Sequence, residues 1–222
     1  MDSIKALFVI LADIVFPRRF VGCNSERQSV CIKCLSRAPL VSRNGTIDKD
    51  IVSMFDYRDP VMRRAIWLLK YNGHRTIAED LGRMLYEYLL DDLSERQTLS
   101  HFTRPILIPI PSAKKRMRSR GFNQALLLAR AIKRCDTENA LTLVTDAIKK
   151  IRHTTPQAKI KNKAARLKNL HNAFAVTKPE LIRGRNIILI DDVATTGATI
   201  SEAKKVLKAA GARKVIGATV AH

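Results

Sequence analysis

The sequence predicts an α/β protein, a parallel sheet flanked by helices, with a small cysteine-bearing element at its N-terminus. From residue 100 onward, short apolar runs alternate with helical patterns, the order that builds a parallel sheet. Ile187-Ile188-Leu189-Ile190 is apolar at every position, as a strand covered on both faces must be. Cys23, Cys31 and Cys34, three of the four cysteines, fall within twelve residues, a metal-like spacing rather than a disulfide framework. With 222 residues, 46% of them hydrophobic, the chain can fill one substantial core and carry an appendage. The expected division is 1–45 for the cysteine element and 46–222 for the α/β domain.

Residues 4–16 are apolar but too short to span a bilayer, contain Asp13, and end at Pro17-Arg18-Arg19 without a small-residue cleavage site. A short helix packed on the body and a cytoplasmic protein without a transmembrane segment are expected. Residues 60–93 read as two helices broken at Asn72-Gly73, with Val61, Ala65, Ile66, Leu68 and Leu69 on the apolar face of the first. Ile106 to Pro111 reads as a buried strand ending at proline, followed by a basic loop and a helix over 123–134. Strands are expected over 141–147, 172–176, 187–190 and 214–220. Helices are expected over 159–170 and 200–210, the latter stopped by Gly211.

The formal charge of +20 is unevenly placed. Residues 96–135 hold ten Lys/Arg and residues 147–179 hold nine, with no acid in either block. Outside them the charges nearly cancel. Two acid-free basic blocks point to a surface that meets polyanions, either phosphates or nucleic acid.

The strongest signal follows the Ile187–Ile190 strand. Asp191 and Asp192 would stand at the carboxyl edge of the sheet, where carboxylates can accept hydrogen bonds from vicinal ribose hydroxyls. Val193 and Ala194 lead into Thr195-Thr196-Gly197-Ala198-Thr199, which opens a helix whose free N–H groups and dipole attract a phosphate. Neither a Walker loop nor a Gly-x-Gly-x-x-Gly turn is present. Upstream, Ser112, Lys114 and Arg120 belong to a basic segment suited to neutralising a departing pyrophosphate.

The loop at 191–199 resembles the 5-phosphoribosyl-1-pyrophosphate loop of type I phosphoribosyltransferases. With Arg120-Gly121-Phe122-Asn123-Gln124, Tyr57-Arg58 and Leu69-Lys70-Tyr71, the chain resembles the ComF family of competence-associated, phosphoribosyltransferase-like proteins over roughly 17–220. The resemblance implies a type I phosphoribosyltransferase fold behind a zinc-finger-like N-terminal element. It also implies a link to single-stranded DNA uptake, with a competence helicase as a possible partner. By the same resemblance Asp191, Asp192 and Arg120 serve the reaction. Val193 to Thr199, with Ser112 and Lys114, hold the ligand, and Mg2+ rides mainly on its oxygens.

The family usually shows two Cys-x-x-Cys pairs, but here the first reads Cys23-Asn24-Ser25-Glu26 and only Cys31-Ile32-Lys33-Cys34 is complete. Cys23, Glu26, Cys31 and Cys34 can form a tetrahedral Zn2+ site; an open site, or cysteines left over after loss of metal, are the alternatives. Cys135 reads as a core or surface thiol. Two functions stay open: a phosphoribosyl-binding competence protein that also meets single-stranded DNA, and a metabolic phosphoribosyltransferase acting on an unidentified base or amine. Phe122 and Phe174 lie in the basic blocks, where aromatics are a thin supply for stacking bases.

Overall fold

The computed structural model describes residues 32–41, 48–71, 75–152 and 172–222. The chain runs through α1 (Ile32–Leu35), β1 (Ile51–Phe55), α2 (Pro60–Tyr71), α3 (Arg75–Ser100), β2 (Ile106–Pro109), α4 (Lys114–Arg120) and α5 (Gln124–Cys135). It continues through β3 (Thr142–Leu143), β4 (Ile148–Lys150), β5 (Phe174–Val176), β6 (Asn186–Val193), α6 (Ala198–Ala209) and β7 (Lys214–Ala221).

Five strands form a parallel sheet in the order β1-β7-β6-β2-β3, with β6 at its centre. The apolar run of β6 serves both faces by simple alternation. Ile188 and Ile190 pack with Met62, Leu69, Leu81, Leu85 and Leu128 under α2, α3 and α5. Ile187 and Leu189 pack with Ile200, Ala203 and Leu207 of α6, and with Ile148 and Phe174 of the antiparallel pair β4–β5. Helices cover both faces, which is why the strands read as continuous rather than alternating hydrophobics. On β7, Gly217 brings α6 close. A Cβ there would stand 2.7 Å from Ile200 Cγ2, so the missing side chain sets the height of α6, and of its first turn, above the sheet.

Several expectations needed correction. The segment read as a basic loop after β2 contains a helix, α4. Its Lys, Arg and Met residues are good helix formers, and Gly121 closes it at φ 79°, donating its N–H to Met117 O at 2.8 Å. The strand expected over 141–147 stops at Leu143, because after the Val144 N–H bonds to Leu107 O the chain leaves the sheet edge to start β4. The second helix runs past 93 to Ser100; its polar last turns lack apolar periodicity and are held by an Asp92–Arg96 pair. β1 was not anticipated. It lies at the sheet edge with all five residues buried, and Ser53 satisfies its hydroxyl against Thr219 Oγ1 at 2.7 Å. The helices expected over 4–16 and 159–170 fall outside the described residues, as do Cys23, Glu26 and Cys31. Cys34 is half-buried at the end of α1, and no cluster of metal-ligating side chains occurs among the described residues.

Gly82 of α3 faces α5 so closely that an added Cβ would meet Ala131 Cβ at 2.4 Å. Gly82→Ala should therefore cost about 1–3 kcal/mol through overpacking, despite a helix-propensity gain of about 1 kcal/mol. Urea unfolding checks this; an unchanged or raised midpoint would show that the two helices part freely.

Candidate functional site

Two connections leave the sheet in opposite directions. After β6 the chain moves through α6 to β7, and after β2 it moves through α4 and α5 to β3 on the other side. The crevice between the carboxyl ends of β2 and β6 is thus a topological switch point, where open α/β sheets take ligands. The Ile110 N–H donates to Ile190 O at 2.9 Å, and the Ala194 N–H donates to Ala221 O at 3.0 Å. These two bonds fix both loops at the strand ends.

A cleft of about 830 Å³ opens there. Its floor is Asp191, Asp192 and the loop through Thr195, Thr196 and Gly197 to the first turn of α6. Gly197 takes φ 70°, which aims the chain into α6 with its leading N–H groups toward the cleft. One wall comes from the excursion after β2, namely Ser112, Arg116, Ser119, Arg120 and Asn123. Asn123 clamps both ends of that excursion. Its Nδ2 donates to Ile110 O at 3.0 Å, while its Oδ1 accepts from the Ala125 N–H at 3.2 Å and from Ser112 Oγ at 3.1 Å. The same oxygen therefore caps α5. The facing wall is Tyr57 with Trp67, Lys70 and Tyr71 of α2, and Lys150 and Phe174 of β4–β5 close the remaining side.

The acids are unequal. Lys70 Nζ lies 3.1 Å from Asp192 Oδ2. Burial pulls the Lys70 ammonium down, but the Asp192 carboxylate overrides this and raises it, so the lysine stays charged. Asp191 accepts the Asp192 N–H at 2.9 Å. Burial first, and the neighbouring Asp192 charge second, push Asp191 up to about 7. Lys150 goes the other way, lowered to about 8 by burial and by repulsion from Arg116. The cleft combines a carboxylate pair, a helix N-terminus and four cations (Lys70, Arg116, Arg120 and Lys150). Such a set can bind a polyol that carries phosphates.

Asp191 to Thr199, Ser112 and Arg120, all expected from the sequence, meet in this cleft. Lys114 is the first residue of α4. The Lys70–Asp192 pair, the Asn123 clamp, Lys150 and the exposed Trp67 were not anticipated. Leu69-Lys70-Tyr71 marked the right segment without a role, and Trp67 signals itself only by falling off the apolar stripe of α2. Cys135 is half-buried on α5. Among the described residues no helix is long and apolar enough to cross a membrane.

A family model described as a phosphoribosyl transferase domain matches residues 118–222. The chain is 32% identical over 188 residues to the DNA utilization protein YhgH of Escherichia coli O157:H7, covering 83% of this chain and 74% of that protein. It is 32% identical over 199 residues to competence protein F of Haemophilus influenzae, covering 87% and 80%. A solved hypoxanthine phosphoribosyl transferase of Trypanosoma cruzi aligns over 64% of this chain and 63% of its own, at 10% identity and a TM-score of 0.37.

The raised Asp191 carries a stability consequence. Its folded value lies above its unfolded one, so the folded state holds the extra proton between about pH 4 and pH 7 and loses stability as pH rises through that window. Asp191→Asn removes this cost. It should raise thermal stability at pH 8 by on the order of 1 kcal/mol relative to the parent, and by less at pH 5. Melts of both proteins without ligand check the sign; equal shifts at the two pH values would contradict it.

Proposed function

The chain belongs to the ComF family of competence-associated, phosphoribosyltransferase-like proteins, and we propose that its cleft binds 5-phosphoribosyl-1-pyrophosphate. The observation that carries this is the meeting of the Asp191–Asp192 pair and the N-terminus of α6 at the switch point between β2 and β6. In this reading the 5-phosphate sits on Thr195 to Thr199, where backbone N–H groups and threonine hydroxyls donate to it. The ribose hydroxyls donate to Asp191 and Asp192, and Lys70, 3.1 Å from Asp192 Oδ2, holds that side chain in place. Arg116 and Arg120 face the pyrophosphate, which they recognise as forked cations.

The same arrangement suits group transfer. An acceptor nucleophile would attack C1 as the bond from C1 to the pyrophosphate oxygen breaks, and positive charge develops on the sugar above the two carboxylates. Arg116 and Arg120 stabilise the negative charge that collects on the leaving pyrophosphate. The adjacent carboxylates suit a hard oxygen-seeking ion, and Mg2+, when bound with the ligand, screens the pyrophosphate oxygens.

The basic blocks and the relatives' names, DNA utilization protein and competence protein, support a second partner, single-stranded DNA. α4 alone carries five cations in seven residues, more charge than one pyrophosphate needs. At the N-terminus, Cys23, Glu26, Cys31 and Cys34 are proposed to hold zinc, because three thiolates and a carboxylate complete a tetrahedral set.

Calorimetric titration with phosphoribosyl pyrophosphate and Mg2+ tests the cleft. Asp191→Ala combined with Asp192→Ala should lower affinity at least about a hundredfold, through two lost charge-assisted contacts. Circular dichroism should be unchanged. The same variant should keep its affinity for an oligonucleotide, with log K falling about 0.7 per phosphate engaged for each tenfold rise in salt. Undiminished sugar binding in the double variant would sink the cleft assignment. Absence of oligonucleotide binding at low salt would return the protein to a metabolic transferase.

For the cysteine element, metal analysis should find about one zinc per chain, lost when Cys31 and Cys34 are replaced by Ser. Substoichiometric zinc in the parent protein would mean the site has decayed.

A further inference from the structure

One feature of the cleft mouth is unused by a sugar phosphate. α2 buries Met62, Ala65, Ile66, Leu68 and Leu69, yet Trp67 is 42% exposed and Tyr71 59% exposed on its opposite side. Their ring centroids lie 5.5 Å apart at an interplanar angle of 38°. The Arg64 guanidinium carbon sits 4.6 Å from the Trp67 ring centroid, and that of Arg120 sits 4.9 Å from the Tyr71 ring centroid. The four groups make one continuous ladder, Arg64–Trp67–Tyr71–Arg120, alternating cation and ring only at its ends.

Exposed aromatics this large cost solvation unless something covers them. Trp67, Tyr71 and Arg120 also line the cleft, so the ladder opens onto the space above Asp191. Arg120 belongs to α4, where Arg116, Arg118 and Arg120 carry positive charge alongside the ring wall. Flat π-faces beside a run of Arg and Lys are what unpaired bases on a phosphate backbone require. A duplex keeps its bases stacked inside and cannot offer their faces.

We propose that Trp67 and Tyr71, held between Arg64 and Arg120, form a stacking platform for unpaired bases of single-stranded DNA entering across α4. This deepens the reading that single-stranded DNA meets this protein, and it rests on that reading. It assigns the stacking aromatics to α2, outside the basic blocks of the sequence. Two rings provide room for about two bases, with the backbone on the α4 side.

Trp67 is the single tryptophan of the chain, so its fluorescence reports on the platform alone. The full-length protein is titrated with an end-labelled fifteen-nucleotide oligothymidylate (about 15 nucleotides, enough to span one such surface), following label anisotropy and tryptophan emission together. Binding should quench Trp67 with the same midpoint as the anisotropy change. Trp67→Ala should weaken binding about tenfold or more, and Trp67→Phe should restore most of it. An abasic strand of the same length should bind more weakly and leave the emission unchanged.

Anisotropy without quenching, or equal affinity for the abasic strand, would overturn the platform while leaving DNA binding in place. No anisotropy change at low salt would remove the DNA reading itself, and the platform with it. Equal quenching by a mononucleotide at the same concentration would assign the rings to a small-molecule base instead and overturn the assignment to DNA.

Discussion

Everything functional in this protein hangs on the parallel pairing of β2 with β6. That pairing sets two divergent connections side by side at the centre of the sheet and leaves a crevice where their loops part. The Ile110–Ile190 hydrogen bond is the last rung of the pairing. Beyond it one chain turns into the basic excursion of α4 and the other into the acidic floor and α6. A register slip of one residue would turn Asp191 and Asp192 about and send Ile190 to the wrong face. The packing of Ile187 and Leu189 on one side, and of Ile188 and Ile190 on the other, guards against that slip.

The electrostatics of the cleft follow from the same geometry. Placing two carboxylates on consecutive residues at a strand end forces them into one low-dielectric corner, and burial and mutual repulsion then disfavour the second charge. Lys70 pairs with Asp192, while burial first and the Asp192 charge second hold Asp191 raised. A ligand that brings hydroxyl donors, or a cation, to Asp191 offsets the cost that burial places on its charge. Across the cleft the pattern repeats with reversed sign: burial first and Arg116 second lower Lys150, and an incoming polyanion relieves the repulsion between the two cations.

How much of this was legible in the sequence depended on sequence distance. The strand, the acidic pair, the Thr/Gly turn and the start of α6 lie within fifteen residues, so local chemistry announced them together. The helix α5 was legible from Asn123 and the apolar period behind it. β1 was not, because Ile-Val-Ser-Met-Phe is short and its buried serine is explained only by Thr219, far along the chain. β4 was hidden because Lys149 and Lys150 break the apolar run, whereas β5 lies within the strand expected over 172–176. α4 was missed because its polar residues carry no hydrophobic period, and only Gly121 marks its end. The Lys70–Asp192 and Arg120–Tyr71 contacts are long-range products of the fold, and the exposed rings of α2 gained meaning only when α4 was seen beside them.

The central claim is that one crevice, between the ends of β2 and β6, holds a phosphoribosyl group by its phosphate and its hydroxyls at once. The most direct measurement is a crystal structure of the protein with phosphoribosyl pyrophosphate and Mg2+. The account predicts the 5-phosphate on the backbone N–H groups between Thr195 and Thr199, and the ribose hydroxyls within hydrogen-bond reach of Asp191 and Asp192. A ligand seated elsewhere, or one whose phosphate lies against α4 with the 195–199 turn empty, would contradict it.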